Sequence, residues 1–354
     1  MPFGQIIIGP PGSGKSTYCF GCQQFFNAIG RNCSVINMDP ANDSLQYECA
    51  LDIRDFVTLE EIMSDQQLGP NGGLMYAFES IENSLDVFIL QIKSLLKEQN
   101  SYLIFDCPGQ VELFTHHGAL FKIFKKLEKE MDLRLCVVNL IDSIYITNPS
   151  QYISIVLLAL RSMLMMDLPQ INVFSKIDML SQYGNDLPFR LDYYTDVDDL
   201  SRLQPELEKE SEIQGAGSVG KKLAKLTASI SEIIQDFNLV SFEVLCIDDK
   251  QSMISLQTMI DKANGYVFGS AEITGDTVWS EASRQGIIHD LGIVDIQERW
   301  LDNKEEYEKE EERKRQEFLK EQEMHDKPVN VDEEDEWNRA MKEWERETGN
   351  KAEK

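Results

Sequence analysis

A phosphate-binding loop near the start of the chain constrains its fold more than any other feature. Residues 9–17 read Gly-Pro-Pro-Gly-Ser-Gly-Lys-Ser-Thr and directly follow an apolar run at 3–8. The pattern G-x-x-x-x-G-K-[ST] between a strand and a helix is a P-loop, in which backbone N–H groups and the helix N-terminus surround phosphate oxygens. We therefore predict a strand, the loop, a helix over 15–29, and binding of a nucleoside triphosphate.

The residue types of this loop fit that chemistry. Its glycines allow the backbone to bend and to approach phosphate oxygens closely. Lys15 is expected to reach the β- and γ-phosphates, and the Ser16 hydroxyl to ligate Mg²⁺. The predicted nucleotide-binding residues of this segment are Gly12, Ser13, Gly14, Lys15, Ser16 and Thr17.

Short apolar runs alternate with longer helical patterns along the rest of the chain. The predicted strands are 3–9, 33–39, 102–106, 133–142, 170–176 and 240–247. The predicted helices are 15–29, 74–98, 116–131, 149–166, 200–236 with a mobile break at 210–220, and 252–264. The strands are rich in Ile, Val, Leu and Phe without alternation, which is typical of parallel strands covered on both faces.

These elements predict an α/β fold with a doubly wound, mainly parallel sheet of the P-loop NTPase type and with helical insertions. Functional residues are then expected at the carboxyl ends of the strands. We place the P-loop domain at 1–270, including a helical insertion at about 185–237. A C-terminal extension follows at 271–303, and a charged tail, helical or disordered, at 304–354.

Charge and hydropathy limit the classes of partner. The net charge of -27 argues against binding of nucleic-acid phosphates. No apolar run reaches the roughly 18 residues that span a bilayer, and the N-terminus has no basic leader. The seven Cys lie mostly in apolar stretches, which suits a reducing compartment. We expect a cytoplasmic protein without direct contact to nucleic acid or membrane.

A second motif follows the predicted strand at 102–106. There Asp106 ends an apolar run and is followed by Cys-Pro-Gly-Gln. An Asp at this place is the partner that a P-loop needs to hold Mg²⁺, directly or through water. Gly109 lets the loop approach the γ-phosphate, and the amide of Gln110 can orient a water molecule. Asp39 ends the preceding strand and is expected to point into the same crevice.

The sequence Ser175-Lys176-Ile177-Asp178 closes the fifth predicted strand and indicates the base. In the related pattern N-K-x-D, the Asp accepts hydrogen bonds from the ring N–H and 2-amino group of guanine, while the Lys stem lies on the base. Ser175 replaces the usual Asn, which ties the base loop to the P-loop, and a hydroxyl can do part of that. Cys246, after the sixth predicted strand, is expected in a second loop that contacts the base.

Taken together, these motifs resemble those of the GPN-loop GTPases over residues 1–270. The segments that carry the resemblance are 9–17, 39–42, 69–71, 106–112, 175–178, 191–195 and 261–266. By composition alone, the Gly69-Pro70-Asn71 segment is a turn.

The resemblance implies a GTPase that uses GTP and Mg²⁺, with Ser16, Asp106 and Asp39 at the metal. It makes Asp39 and Gln110 the water-positioning groups, with Glu112 as support. It also implies a dimer, in which Asn71 of one subunit reaches the γ-phosphate or the attacking water in the other. Arg54 lies in the right region for an arginine finger, although nothing in the sequence assigns it that role.

The family resemblance further implies pairing as a homodimer or a heterodimer with other GPN-loop GTPases. It implies a role with RNA polymerase subunits or assembly factors, in the assembly and nuclear import of RNA polymerase II, and shuttling to the nucleus. Two alternatives stay open: a small-molecule phosphotransferase with an adenylate-kinase-like P-loop, and a nucleotide-gated scaffold with little turnover. The arginines that a phosphotransferase needs for its acceptor are scattered along the chain.

The tail contains one apolar pattern. Trp337, Met341 and Trp344 follow an acidic run at i, i+4 and i+7, so a helix would place them on one face. Three interpretations stay open for these side chains. They pack on the main domain, they belong to a disordered tail without a function, or they bind in a groove of a partner protein.

Overall fold

A computed structural model of the chain describes residues 2–266 apart from 43, 100, 184–186, 198 and 214–216, together with 300–301, 306–307, 309 and 313. The chain divides into two units, Met1–Leu301 and Asp302–Lys354. Residues 267–299 and the predicted stripe of Trp337, Met341 and Trp344 lie outside the described residues.

Seven parallel strands form one sheet in the order β3-β2-β4-β1-β5-β6-β7. The strands are β1 (Phe3–Ile8), β2 (Cys33–Asn37), β3 (Cys49–Asp52), β4 (Tyr102–Asp106), β5 (Arg134–Asp142), β6 (Gln170–Ser175) and β7 (Phe242–Val244). The order reverses beside β1, and ligands of open α/β sheets bind at such a switch point, outside the carboxyl ends of the strands. The predicted fold class is confirmed.

Twelve α-helices connect and cover the strands within the described part of the chain. They are α1 (Lys15–Ala28), α2 (Leu59–Gln66), α3 (Pro70–Asn83), α4 (Leu85–Gln99), α5 (Val111–Thr115), α6 (Gly118–Met131), α7 (Pro149–Met166), α8 (Leu180–Tyr183), α9 (Leu191–Thr195), α10 (Gln204–Ile213), α11 (Gly217–Phe237) and α12 (Lys250–Asn264).

Alternate side chains of the central strand enter cores on opposite faces of the sheet. Ile6 and Ile8 of β1 pack in the core that includes residues of α3, α4 and α6. Ile7 packs on the other face with residues of α1 and α12. A third core joins the ends of β5 and β6 to β7, α7, α9, α10 and α11. Burial on both faces explains why these strands lack alternation in the sequence.

The predicted secondary structure was wrong at several short or split elements. The edge strand β3 and the helix α2 were missed, and β7 is shorter than predicted. The helix expected at 74–98 is two helices that meet at Ser84, and residues 217–220, expected in a mobile break, begin α11. A capping signal was present for α2, because Thr58 Oγ1 accepts a hydrogen bond from the Glu61 N–H.

One helix in the described part, α7, is long and apolar enough to cross a membrane by those two criteria alone. Of its residues, 44% are buried inside the fold, and the core helix of a folded domain satisfies the same criteria. Tyr152, Val156 and Ala159 of α7 are fully buried in the third core.

Candidate functional site

The loop between β1 and α1 has the backbone that its glycines predict. Gly12 and Gly14 have φ of 78° and 84°, in the left-handed region that glycine adopts without strain. A Cβ on Gly9 would lie 2.0 Å from the Leu140 carbonyl oxygen of β5, so no side chain fits there. The loop joins the carboxyl end of β1 to the first turn of α1, which begins at Lys15.

Lys15 folds back over this loop. Its Nζ donates hydrogen bonds to the carbonyl oxygens of Gly9 at 3.1 Å and Pro10 at 3.0 Å. Burial lowers the pKa of Lys15, and the negative charges of Asp106 and Asp39 oppose that shift. The fold thus brings three charged side chains into one electrostatic cluster: Lys15 from the start of α1, Asp106 from the end of β4 and Asp39 from the loop after β2.

Asp106 lies at the end of β4 and is almost fully buried. Its Oδ2 accepts hydrogen bonds from Ser16 Oγ at 2.8 Å and from the Tyr47 hydroxyl at 2.8 Å. Burial raises the pKa of Asp106, whereas these two donors and the charge of Lys15 lower it. Burial also raises the pKa of Tyr47 far above its usual range, so the phenol keeps its proton and acts as a donor.

Three buried polar atoms at this place have no hydrogen-bond partner in the described structure. They are Ser13 Oγ, Asp106 Oδ1 and Gln110 Oε1. Buried polar atoms without partners are uncommon, and those of a binding site are completed by the ligand. Three of the eight such atoms in the described residues thus lie on the P-loop and at or just after the end of β4, which supports this crevice as the ligand site.

The donor set also fits a magnesium ion. No group of three or more His, Cys, Asp and Glu side chains in the described residues forms a metal cluster. Mg²⁺ in nucleotide sites, however, keeps several waters and takes only one or two protein oxygens beside the phosphates. Ser16 Oγ and the unpartnered Asp106 Oδ1 supply such oxygens, and Asp39 adds a carboxylate to the same cluster.

The loop after β6 is fastened to the P-loop by two side chains. Ser175 Oγ donates to the Ser13 carbonyl at 2.8 Å, which is the connection expected of a hydroxyl at this position. Lys176 Nζ donates to the Gly12 carbonyl at 2.6 Å and pairs with Asp142 Oδ2 at 2.7 Å. The loop after β6, which is predicted to contact the base, is therefore hydrogen-bonded directly to the P-loop.

Asp178 and Cys246 lie together beyond that connection. Asp178 is half-buried in the short 3-10 helix Ile177–Met179. Cys246 follows β7, and its thiol pKa is raised to about 12, first by burial and next by the charge of Asp178. The N–H of Ile177 donates to the Leu245 carbonyl at 3.4 Å, so the two predicted base-contacting loops are adjacent.

Asp39 is held in a folded loop after β2. Its Oδ1 accepts from the Ala41 N–H at 2.9 Å, and its own N–H donates to Asn37 Oδ1 at 3.1 Å. Arg54 closes the loop from outside, since its Nη1 donates to the Asn42 carbonyl at 2.7 Å while its Nη2 pairs with Asp52 Oδ2 at 2.6 Å. In this arrangement Arg54 supports the loop of its own subunit.

Gln110 and Glu112 lie on the segment after β4. Gln110 is the N-cap residue of α5, and half-buried Glu112 lies in the first turn of that helix. Arg161 of α7 fixes the other end of α5, because its Nε donates to the Thr115 carbonyl at 3.0 Å. Gly109 lies close to the P-loop, since a Cβ there would be 3.0 Å from Lys15 Nζ.

The Gly69-Pro70-Asn71 segment is not the isolated turn that composition suggests. Gly69 is the N-cap residue of α3, Pro70 occupies the first turn, and the Gly73 N–H donates to the Gly69 carbonyl at 2.8 Å. Proline is favoured at the first position of a helix, because an N–H there would have no acceptor within the helix and its absence costs nothing. Asn71 is exposed and makes no hydrogen bond to the P-loop within the described part of this subunit.

Other residues of the site were missed by sequence reasoning. Tyr47, which binds Asp106, lies in a segment without a motif, and Asp142, which holds Lys176, looked like an ordinary end of β5. The motif at 261–266, in contrast, lies away from the phosphates. Asp261 pairs with largely buried Arg31 at 2.9 Å, and Asn264 donates to the hydroxyl of Tyr102, the first residue of β4, at the amino ends of the strands.

The parallel sheet, the loop at its switch point and the carboxylate at the end of β4 define a P-loop nucleotide-binding protein. A family model described as a conserved hypothetical ATP-binding protein matches residues 7–266. A GTPase in apo form from Pyrococcus abyssi has a similar fold, with a TM-score of 0.56 and 23% identity over 74% of this chain and 97% of that one.

Curated relatives give the family. GPN-loop GTPase 2 of Saccharomyces cerevisiae is 69% identical over 99% of both chains. GPN-loop GTPase 2 of Schizosaccharomyces pombe is 50% identical over 87% of this chain and 94% of that protein. GPN-loop GTPase QQT1 of Arabidopsis thaliana is 46% identical over 77% of this chain and 88% of that protein. The chain belongs to the GPN-loop GTPases, and it is a GTPase by that membership.

Proposed function

We propose that this protein is a Mg²⁺-dependent switch that binds GTP at the crevice described above and hydrolyses it to GDP and phosphate. The observation that supports this proposal most strongly is the convergence of Lys15, the Ser16–Asp106 pair and three unpartnered buried polar atoms on one P-loop. Mg²⁺, when bound, would neutralise charge on the phosphates. The chain supplies the loop N–H groups, the ammonium of Lys15 and the oxygens of Ser16 and Asp106.

Guanine is the base that we propose for this site. The carboxylate of Asp178, with Cys246 beside it, lies on a loop that is fastened to the P-loop. A carboxylate accepts the paired ring N–H and amino donors of guanine, which adenine does not present. Asp178→Asn should therefore weaken GTP binding and improve binding of XTP, whose ring has a carbonyl in place of the amino group. If ATP competes with GTP at equal affinity for the unaltered protein, the guanine proposal is wrong.

Hydrolysis is proposed to depend on Gln110 and Asp39, with Glu112 as support. The unpartnered Gln110 Oε1 is buried, and Gln110 follows Gly109, which lies close to the P-loop. Asp39 shares the electrostatic cluster of Lys15. Groups that act on water in the transition state change kcat more than substrate affinity. Gln110→Leu and Asp39→Ala should slow single-turnover hydrolysis while GTP affinity changes little. A nucleotide-gated scaffold would instead show negligible turnover of the unaltered protein, alone or with its partners.

We further propose that the site is completed by a second subunit, either identical or another GPN-loop GTPase. Asn71 is exposed at the start of α3 and makes no hydrogen bond to its own P-loop within the described residues, which leaves it available to a partner. Mixing Asn71→Ala with Lys15→Ala subunits tests this in a homodimer, because one mixed site combines an intact loop with an intact Asn71. Recovery of activity on mixing is expected. Dimers that form without recovery would place Asn71 in the site of its own subunit or give it a purely structural role.

RNA polymerase subunits or their assembly factors are the partners that we propose, in the cytoplasm and with shuttling to the nucleus. The support is family membership, together with a net charge of -27 that favours protein partners over nucleic acid. Purification from cells with GTP or GDP present, followed by identification of the bound proteins, tests it. Absence of polymerase subunits and assembly factors in both nucleotide states would contradict the proposal.

A further inference from the structure

The hydroxyl of Tyr47 is a feature of the site that the proposed GTPase chemistry does not yet use. It donates to Asp106 Oδ2 at 2.8 Å, the same oxygen that accepts from Ser16 Oγ. Asp106 Oδ1 is buried and has no hydrogen-bond partner in the described structure. The two oxygens of one carboxylate are therefore in different states, one saturated by hydroxyl donors and one unpartnered.

The position of Tyr47 is fixed by its neighbours in the fold. Its side chain is 5% exposed and packs in the core between the sheet and α1. The next residue, Glu48, is attached to α1 by two hydrogen bonds with the side chain of Gln23, at 2.8 and 3.0 Å. Cys49 then begins β3 and pairs with Val35 of β2. The Tyr47 ring and the two residues that follow it are thus held by α1 and β2, next to the P-loop and Asp106.

We propose that Tyr47 is a positioning residue for the metal site, which holds the Asp106 carboxylate in the rotation that keeps Oδ1 for Mg²⁺ or a Mg²⁺-bound water. This inference depends on the proposed Mg²⁺–nucleotide site. A carboxylate with only Ser16 as donor can rotate and exchange its two oxygens. A second donor on Oδ2, carried by a buried ring, removes that freedom before the metal arrives, so less ordering is needed on binding.

The consequence is a connection between the metal and the segment before β3. Tyr47 lies between the Asp39 loop and β3, and both are tied together by Arg54, which bonds the Asn42 carbonyl and Asp52. The segment therefore contacts the metal-site carboxylate through one hydroxyl. Tyr47 supports binding of the Mg²⁺-loaded nucleotide, whereas it makes no contribution to binding of the nucleotide alone.

The test is the effect of Mg²⁺ on nucleotide affinity in Tyr47→Phe, which keeps the buried ring and removes only the hydroxyl. Affinity for a fluorescent GDP is measured with Mg²⁺ and with EDTA. A hydrogen bond to a charged group is worth enough that we expect the enhancement by Mg²⁺ to fall about tenfold. Affinity in EDTA should stay within about twofold of the unaltered protein.

Tyr152→Phe is the matched control. Its hydroxyl also makes a buried hydrogen bond, to the Tyr194 carbonyl at 3.0 Å, but it lies in a different core. This variant should retain the full enhancement by Mg²⁺. An enhancement in Tyr47→Phe equal to that of the control overturns the inference, and so does an equal loss of affinity with Mg²⁺ and with EDTA, which indicates a purely structural role.

A structure of the unaltered protein with Mg²⁺ and GDP gives a test that does not depend on folding of the variant. The Tyr47 hydroxyl should remain about 3 Å from Asp106 Oδ2, with the metal or its water on Oδ1. A hydroxyl displaced from Asp106 would refute the inference. Failure of the unaltered protein to bind any guanine nucleotide would instead contradict the proposed function, so the two failures are distinguishable.

Discussion

Replacement of Lys15 by Met tests the central assignment of the site, because it separates nucleotide binding from folding. The side chain keeps most of its length and loses the ammonium, whose Nζ donates to the Gly9 and Pro10 carbonyls at 3.1 and 3.0 Å. With GTP bound, that ammonium is expected to contact two phosphates instead. The variant should therefore bind GTP weakly and remain folded.

The size of the effect follows from this exchange of partners. Two charge-assisted hydrogen bonds to phosphate are worth roughly 3–6 kcal/mol together, and the two bonds to carbonyls that must be given up are worth roughly 1–3 kcal/mol. The difference, about 2–3 kcal/mol, corresponds to a loss of about 30- to 150-fold in affinity.

Stability should change much less than affinity. Burial lowers the pKa of Lys15 despite the neighbouring Asp106 and Asp39, so the charged form is on balance disfavoured in the folded protein. Removal of the charge therefore offsets most of the two lost hydrogen bonds. We expect the free energy of unfolding without nucleotide to change by about 1 kcal/mol or less.

The assay is a fluorescence titration with labelled GTP and Mg²⁺, alongside urea unfolding of the nucleotide-free protein. Lys122→Met is the control, since its exposed ammonium pairs with Glu82 at 2.9 Å on the surface and with no other acidic side chain in the described part of the chain. It should change neither quantity. A loss of affinity below about threefold in Lys15→Met, or a loss of stability above about 2 kcal/mol, would refute this reasoning about Lys15.

Two further predictions concern connections between distant parts of the chain. Arg31→Met should cost about 3–5 kcal/mol of stability in urea, because it leaves the buried Asp261 carboxylate unpaired. Burial already raises the pKa of Asp261, and the loss of Arg31 raises it further. The loss of unfolding free energy should therefore be smallest at low pH, where Asp261 is protonated, and grow as the pH rises through the pKa of Asp261. A loss of stability that does not depend on pH would contradict this prediction. Ser175→Ala should weaken GTP binding several-fold in a titration, since it releases the Ser13 carbonyl from a buried hydroxyl donor, and unaltered affinity would show that this bond does not support the P-loop.

The pairing of Arg31 also bears on the phosphotransferase alternative. Its guanidinium lies 3.8–4.7 Å from the ring centroids of Phe26, Tyr102 and Tyr266, and it is bonded to Asp261. Arg54 is occupied at the Asp39 loop. Two of the scattered arginines that an acceptor pocket would need are thus engaged in supporting the fold.

The sequence by itself determined the fold class and the phosphate end of the site. A P-loop is contiguous, so the spacing of its glycines, Lys15 and Ser16 specifies the local backbone and the ligand type together. Asp106 was identifiable for the same reason, because an Asp at the end of an apolar strand can be recognised within a few residues. Long, buried strands and helices such as α7 also carry strong local patterns, whereas the four-residue edge strand β3 does not.

Only the tertiary structure decided which distant residues complete the site. Tyr47 is 59 residues from Asp106, and Ser175 is 162 residues from Ser13. These pairs meet because β2 lies beside both β3 and β4, and β5 lies between β1 and β6. The conformation of Gly69-Pro70-Asn71 was decided in the same way: its composition fits a turn, but the packing of α3 in the core extends a helix back to Pro70. Composition limits a short segment to a few backbone conformations, and contacts from the rest of the fold select one of them.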